Sequence, residues 1–312
     1  MPAEFVHWEI LNSVSASAEL SSEIRTCLTE HAASAALGAV AHDALYYYRA
    51  GTNKACENAA SYLHGAFGDD PLKILLEIYR INAASNPAVS AFIFGMATHY
   101  AVDSVFHPLI YFLTGDYYAD DDKERALART SHRRFETQLD SWWMDNYSAP
   151  KHKISKLLAK THNQTAEIFN TLEQYLSNTN YPISAETWAS SFKHFSLISK
   201  LTDSFFLGMI LNLAVKLNCN SLMPAEAISK YNRKKALPYF DQEFKYKTPV
   251  SGQTATSNLA ELRDKAIKSS IKTISALNSQ QLDFQGLSMD LGEAGVRTKE
   301  AKYFADHLVL LN

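Results

Sequence analysis

Between Ala91 and Leu113 the chain is apolar almost throughout, and its ionisable interruptions are His99, Asp103 and His107. They stand four residues apart. At about 100° per residue on an α-helix, all three fall in one stripe about 80° wide. Phe92, Ile93, Phe94, Met96, Val102, Val105 and Phe106 surround that stripe, so the helix reads as buried. A bare carboxylate there is costly, and metal coordination removes the cost. Zinc takes nitrogen and oxygen donors together, which makes the stripe a metal platform. The plainer reading is a core helix whose polar residues are satisfied by hydrogen bonds.

The rest of the chain restricts the fold that can hold this helix. Apolar residues recur at three- and four-residue spacing over Glu4–Leu20, Ser22–Ala36, Thr52–Phe67, Leu72–Ala84, Ala88–Phe106, Ala126–Met144, Lys153–Leu176, Ala185–Leu217 and Ser257–Leu277. Turn chemistry separates them at Gly68–Pro71, Asn86-Pro87, Gly115–Asp122, Tyr181-Pro182 and Pro249–Gly252. No strand-like alternation is sustained, and 11 Gly and 9 Pro are too few for a turn-rich β fold. The expectation is an all-α, compact multi-helix bundle. Residues 1–245 form its helical core, and 246–312 a C-terminal loop and helix packed on the same domain.

A net charge of -3 offers no basic track for a polynucleotide. Cys27, Cys56 and Cys219 form no CxxC pair and no disulfide framework, which fits a reducing compartment. Met1–Leu20 lacks the basic start and apolar run of a signal peptide, and Phe205–Leu217 is too short to span a bilayer. A soluble, cytoplasmic protein is expected.

Seven of the eleven histidines lie within the first 132 residues, so the chemistry is expected in the N-terminal half. His132 and Glu136 share a helix face and can hold one ion jointly. Asp140 continues that face and is expected to orient His132. Asp43, His64 and His7 are weaker candidates, each ambiguous by itself. His31 and His42 read as extras, and His152, His162, His194 and His307 as surface residues. Tyr46, Tyr47, Tyr48, Trp142 and Trp143 flank these positions; they read as packing, with a quaternary ammonium site as the alternative.

Taken in order, His7, Asp43, His64, His99 with Asp103, His107, and His132 with Glu136 resemble the zinc-dependent phospholipase C family. Gly95-Met-Ala-Thr-His99-Tyr-Ala-Val-Asp103, His107-Pro108 and His132-Arg-Arg-Phe-Glu136 are similar to its intracellular branch, although His42 stands where that branch often has Pro. The resemblance implies the helical bundle shared with single-strand-specific nucleases and two or three zinc ions (Zn2+) per chain. It implies that Asp43, His64, His99 and Asp103 hold one zinc, and that Asp103 bridges to a second, also held by His7. His107, His132 and Glu136 would hold the remaining one. It further implies hydrolysis of a phosphodiester by a zinc-bound hydroxide, with Asp43 as general base. The implied substrate is a phospholipid or small phosphodiester, with peripheral membrane contact and no nucleic acid. Two other readings stay open: a single-strand nuclease or nucleotidase, which resembles this pattern with Asp where Glu136 stands, and a non-catalytic helical protein with structural zinc.

Overall fold

The computed structural model describes residues 4–82, 86–148, 151–229 and 238–281, with 287, 289, 292 and 293. Among them lie fourteen α-helices: α1 (Glu4–Ser15), α2 (Ser22–Glu30), α3 (Ala32–Gly38), α4 (Ala41–Ala44), α5 (Lys54–Leu63), α6 (Pro71–Asn82), α7 (Pro87–Thr114), α8 (Asp122–Asn146), α9 (Ile154–Lys160), α10 (His162–Leu176), α11 (Ala185–Thr202), α12 (Phe205–Lys216), α13 (Met223–Ala227) and α14 (Leu259–Ser279). The one sheet among these residues is a two-stranded antiparallel hairpin, β1 (Phe244–Lys247) with β2 (Thr254–Ser257). The fold is all-α, as the periodicity predicts.

Helix α7 is the axis. Its sequence is apolar on every side, and every residue from Ala88 to Tyr111 is buried. Asn86 caps it by accepting the backbone N–H groups of Ala88 and Val89, and Pro87 opens the first turn. Helices α1, α2, α3, α6, α8, α10 and α14 pack around it. Length and composition alone would let α7 cross a membrane, but here protein covers it completely.

The closest crossing is α3 on α7. A Cβ on Gly38 would lie 1.8 Å from the Phe92 carbonyl oxygen, and one on Gly95 would lie 2.0 Å from that of Ala35. Only a residue without a side chain lets two helix backbones approach this far. The contact also carries Ala39, just past α3, to within hydrogen-bond reach of His99.

Several elements depart from the expected spans. α7 does not stop before Pro108 but runs through it to Thr114, because packing on both sides holds the helix where the Pro108 N–H is missing. The first helix ends at Ser15. Ser22–Ala36 breaks at His31, Lys153–Leu176 at Thr161, and Ala185–Leu217 at Asp203-Ser204, where α12 turns 79° from α11. Apolar spacing continues across each break, so periodicity does not reveal it; at the last, the Ser204 hydroxyl caps α12 by accepting Leu207 N–H. The C-terminal loop expected around Pro249–Gly252 is the turn of the hairpin. Its alternation, Phe244 and Tyr246 inward against exposed Lys245 and Lys247, is only four residues long. The expected boundary at 245/246 falls inside β1, and α14 packs directly on α1 and α7. Ala84 and His307 lie outside the described residues.

A buried ion pair ties the ends of the chain together. Arg263 on α14 donates to Glu9 on α1 at 2.6 and 3.0 Å, while Trp143 Nε1 and Ser13 Oγ donate to the same carboxylate. Glu9→Ala strands three donors, so denaturant unfolding should report a loss of about 2 kcal/mol. That is below the roughly 3–5 kcal/mol of a fully buried pair, because Arg263 keeps 21% of its side chain in solvent. A midpoint unchanged by this substitution would show that the pair carries no stability.

Candidate metal centre

Five elements converge at one point. α1 brings His7, α4 Asp43, the C-terminal end of α5 His64, α7 His99, Asp103 and His107, and α8 His132 and Glu136. All eight side chains are nearly or wholly buried, Asp43 the most open at 9% exposure.

Asp103 is the hub. Its Oδ1 lies 3.4 Å from His7 Nε2, and its Oδ2 lies 3.2 Å from His99 Nε2, 3.7 Å from His107 Nε2 and 3.9 Å from His64 Nε2. Asp43 Oδ1 is 3.3 Å from His64 Nε2 and 3.7 Å from His99 Nε2. Glu136 Oε1 is 3.1 Å from His132 Nε2 and 3.6 Å from His107 Nε2. The donors sort into three groups, each with its atoms within 4.8 Å of one another: His7, His99 and Asp103; Asp43, His64 and His99; His107, His132 and Glu136.

Backbone carbonyls orient two of the imidazoles. His64 Nδ1 lies 2.7 Å from Ala60 O, and His99 Nδ1 lies 2.9 Å from Ala39 O. A carbonyl can only accept, so each Nδ1 carries the proton and each Nε2 presents a lone pair to the centre. The His99 Nε2 is buried with no hydrogen-bond partner, despite its short distance to Asp103. Donors that converge without hydrogen-bonding geometry are arranged for an ion between them. The electrostatics agree. Burial works against charge on His99, yet Asp103 and Asp43 raise its pKa to about 9. Burial would raise the Asp103 carboxyl, but His107, His99 and His7 hold it far below the usual range. Burial likewise opposes ionisation of Glu136, but the positive groups facing it, led by the N-terminal charge and joined by His132 and His107, hold it well below the usual carboxylate range. Buried and ionised, Asp103 and Glu136 therefore require positive charge here, and a proton on His99 supplies it when nothing else does. His7 is the opposite case: burial, then His99, lower it to about 4, leaving a neutral imidazole able to coordinate.

The structure thus brings together all eight residues singled out from the sequence. It reassigns several neighbours. Asp140 does not reach the His132 ring, whose Nδ1 has no hydrogen-bond partner. Instead it accepts the backbone N–H groups of Phe5 and Val6, anchoring the first turn of α1 and with it His7. His42 is buried beside the cluster but belongs to none of the donor groups. Its ring stacks on one face of His99 at 4.6 Å, while His7 stacks on the other at 4.2 Å. His162 is exposed as expected, but His152 and His194 are half-buried, edge-on to Trp8 and Tyr48. Of the flanking aromatics, Tyr46 lines the pocket. Tyr47 stacks on Phe195, Trp143 donates to Glu9 in the core, and Trp142 donates to the exposed Asp241.

Three further tyrosines were not singled out from the sequence. Tyr111, Tyr117 and Tyr118 join Tyr46 around the mouth of the cluster. Tyr111 was legible in principle, since it continues the four-residue stripe from His107. Tyr117 and Tyr118 sit in the turn between α7 and α8 and carried no signal. Arg129 reaches back to this turn, donating to Tyr117 O at 3.1 Å with its guanidinium 4.7 Å above the Tyr117 ring. The pocket that these donors and the four tyrosines line together has a volume of only ≈ 30 Å3, room for water-sized groups.

A family model described as zinc dependent phospholipase C matches residues 6–189. No curated protein and no solved structure matches the chain. The matched span is more than half of the sequence and contains all eight converging residues. With its all-α architecture and three groups of side chains that could hold metal, the chain belongs to the zinc-dependent phospholipase C family, a family of zinc-dependent hydrolases.

Proposed function

We propose that this protein cleaves a phospholipid, or a small phosphodiester like it, between glycerol and phosphate. The observation that carries the reading is that His99 belongs to two donor groups, while Asp103 lies within 3.9 Å of imidazoles from all three. One closed structural zinc uses four ligands, whereas eight converging donors and an open mouth suit several ions and a substrate. In this reading Asp43, His64, His99 and Asp103 would hold one zinc, Asp103 with His7 a second, and His107, His132 and Glu136 a third. Bound zinc supplies Lewis acidity and neutralises charge on the phosphate oxygens.

The chain's own groups do the rest. The Ala39 and Ala60 carbonyls hold the His99 and His64 rings with Nε2 inward. Asp43, the most open carboxylate, takes the proton of the attacking water at its outer oxygen. The tyrosine rim excludes bulk water and seats the organic part of the substrate. Asp120, Asp121 and Asp122 begin two residues beyond Tyr118, so a long polyanion leaving the mouth on that side meets negative charge.

The test is metal analysis beside a substrate panel. Purified protein should carry more than one zinc per chain, and chelation should abolish turnover and lower the melting temperature. At equal phosphate concentration, phosphatidylcholine and choline-phosphate esters should be cleaved faster than single-stranded DNA or RNA. Faster cleavage of nucleic acid would replace this reading with a nuclease. One tightly held zinc and no turnover would replace it with a structural site.

A further inference from the structure

Helix α12 has its polarity inside out. Between Ser204 and Ala225 the chain has no acidic residue, and within α12 the polar side chains are Asn212 and Lys216. Asn212 faces the protein and donates to the buried Glu226 at 3.1 Å, and Gly208 is the buried residue of the same side. The opposite stripe, Phe206, Met209, Ile210, Leu213 and Leu217, follows helical spacing and is 44–70% exposed. Nine of the eleven large apolar side chains exposed among the described residues lie between Leu197 and Leu222. A patch so concentrated marks a docking face.

We propose that α12 is the element by which this protein docks on a phospholipid surface, lying in the plane of the interface. The proposal rests on the phospholipid reading above. Twelve residues span about 18 Å, too short to cross a bilayer, and the 79° turn from α11 prevents the pair from forming one continuous span. A helix lying flat, with its apolar stripe sunk below the head groups, is the geometry such a segment can satisfy. The charges at its border agree. Lys200 and Lys216 are exposed near its two ends, within reach of lipid phosphates, and along residues 200–222 the one acidic residue is Asp203, at the bend. On its inner side α12 rests on α11 and α13. α13 is tied to α8 by the Glu226–Arg134 pair at 2.7 Å, two residues from both His132 and Glu136. The docking face and the metal centre are thereby joined through one rigid helix.

The probe is a vesicle of phosphatidylcholine with a minor share of phosphatidylglycerol, and the readout is flotation, which needs no catalysis. The variant is Phe206→Ser/Met209→Ser/Leu213→Ser, whose positions are exposed and lie outside the metal centre. It should keep the wild-type melting temperature and its turnover of a soluble choline-phosphate ester, while partitioning onto vesicles roughly tenfold or more weakly. Leu127→Ser, on α8, should float like wild type. The proposal is overturned if wild-type protein fails to float or if the triple variant floats equally well. It is also overturned if wild type sediments as a dimer that the triple substitution dissociates without changing flotation; α12 would then be a contact between copies. Flotation that depends on α12, in a protein that turns over no phospholipid, would leave the docking face standing and remove the substrate reading.

Discussion

Asp103→Asn should remove more zinc and more activity than any other single substitution in the centre. The amide keeps the shape of the side chain but loses a charge that faces four imidazoles within 3.9 Å. In the proposed arrangement Asp103 would serve two ions at once, so its loss would weaken both. Substituting a group that merely orients a metal ligand costs about 10–100-fold in affinity or activity. Loss of the bridge should exceed that range, with fewer than one zinc retained per chain by elemental analysis. His7→Ala should cost less, since the other donors of the neighbouring groups remain. The measurement is zinc stoichiometry and turnover of a soluble phosphodiester for both variants at matched protein concentration. Equal losses would contradict the hub role of Asp103 and raise His7 to a ligand of the same rank.

Gly95→Ala should damage the fold rather than the chemistry, and by a comparable margin. The added methyl would stand 2.0 Å from the Ala35 carbonyl oxygen and 2.8 Å from Ala39 N, backbone atoms that cannot move aside like a flexible side chain. Overpacking of a core commonly costs about 1–3 kcal/mol, and a clash with backbone belongs at or beyond the upper end. Separation of α3 from α7 would also carry Ala39 O away from His99, so zinc affinity should fall together with stability. Denaturant unfolding of the metal-free protein isolates the first effect, and zinc titration the second. Ala97→Gly, on the same helix, should lose less stability than Gly95→Ala, although it deletes a methyl instead of adding one. If Gly95→Ala is as stable as wild type, the close crossing is not the device that positions His99.

How much of this was legible beforehand follows from what each signal depends on. The four-residue spacing of His99, Asp103 and His107 is a property of a single helix, and so is that of His132 and Glu136. A local pattern of that kind survives folding unchanged, which is why both sets of candidate ligands appear where the spacing put them. His7, Asp43 and His64 have no such internal check. Each looked ordinary alone and gained meaning only from its order along the chain. The assignment of Asp140 missed because helical register says which residues share a face, not which neighbour that face meets; α1 arrives there and takes the carboxylate at Phe5 and Val6.

By itself, then, the sequence determined an all-α chain built around one buried helix, and a set of nitrogen and oxygen donors suited to zinc. These are consequences of residue type and local period, which short stretches of chain already contain. The tertiary structure decided the rest. It made Asp103 the hub, because four imidazoles from two helices and the end of a third approach the same carboxylate. It set the tautomers of His64 and His99 through backbone carbonyls, which carry no residue identity to read. It left the apolar stripe of α12 facing outward, where hydrophobic periodicity alone would have turned it toward the core, because Asn212 and Gly208 are the side that fits against α13 and α11. Periodicity reports that a helix has two faces; which face is buried depends on the shape and polarity of what it packs against.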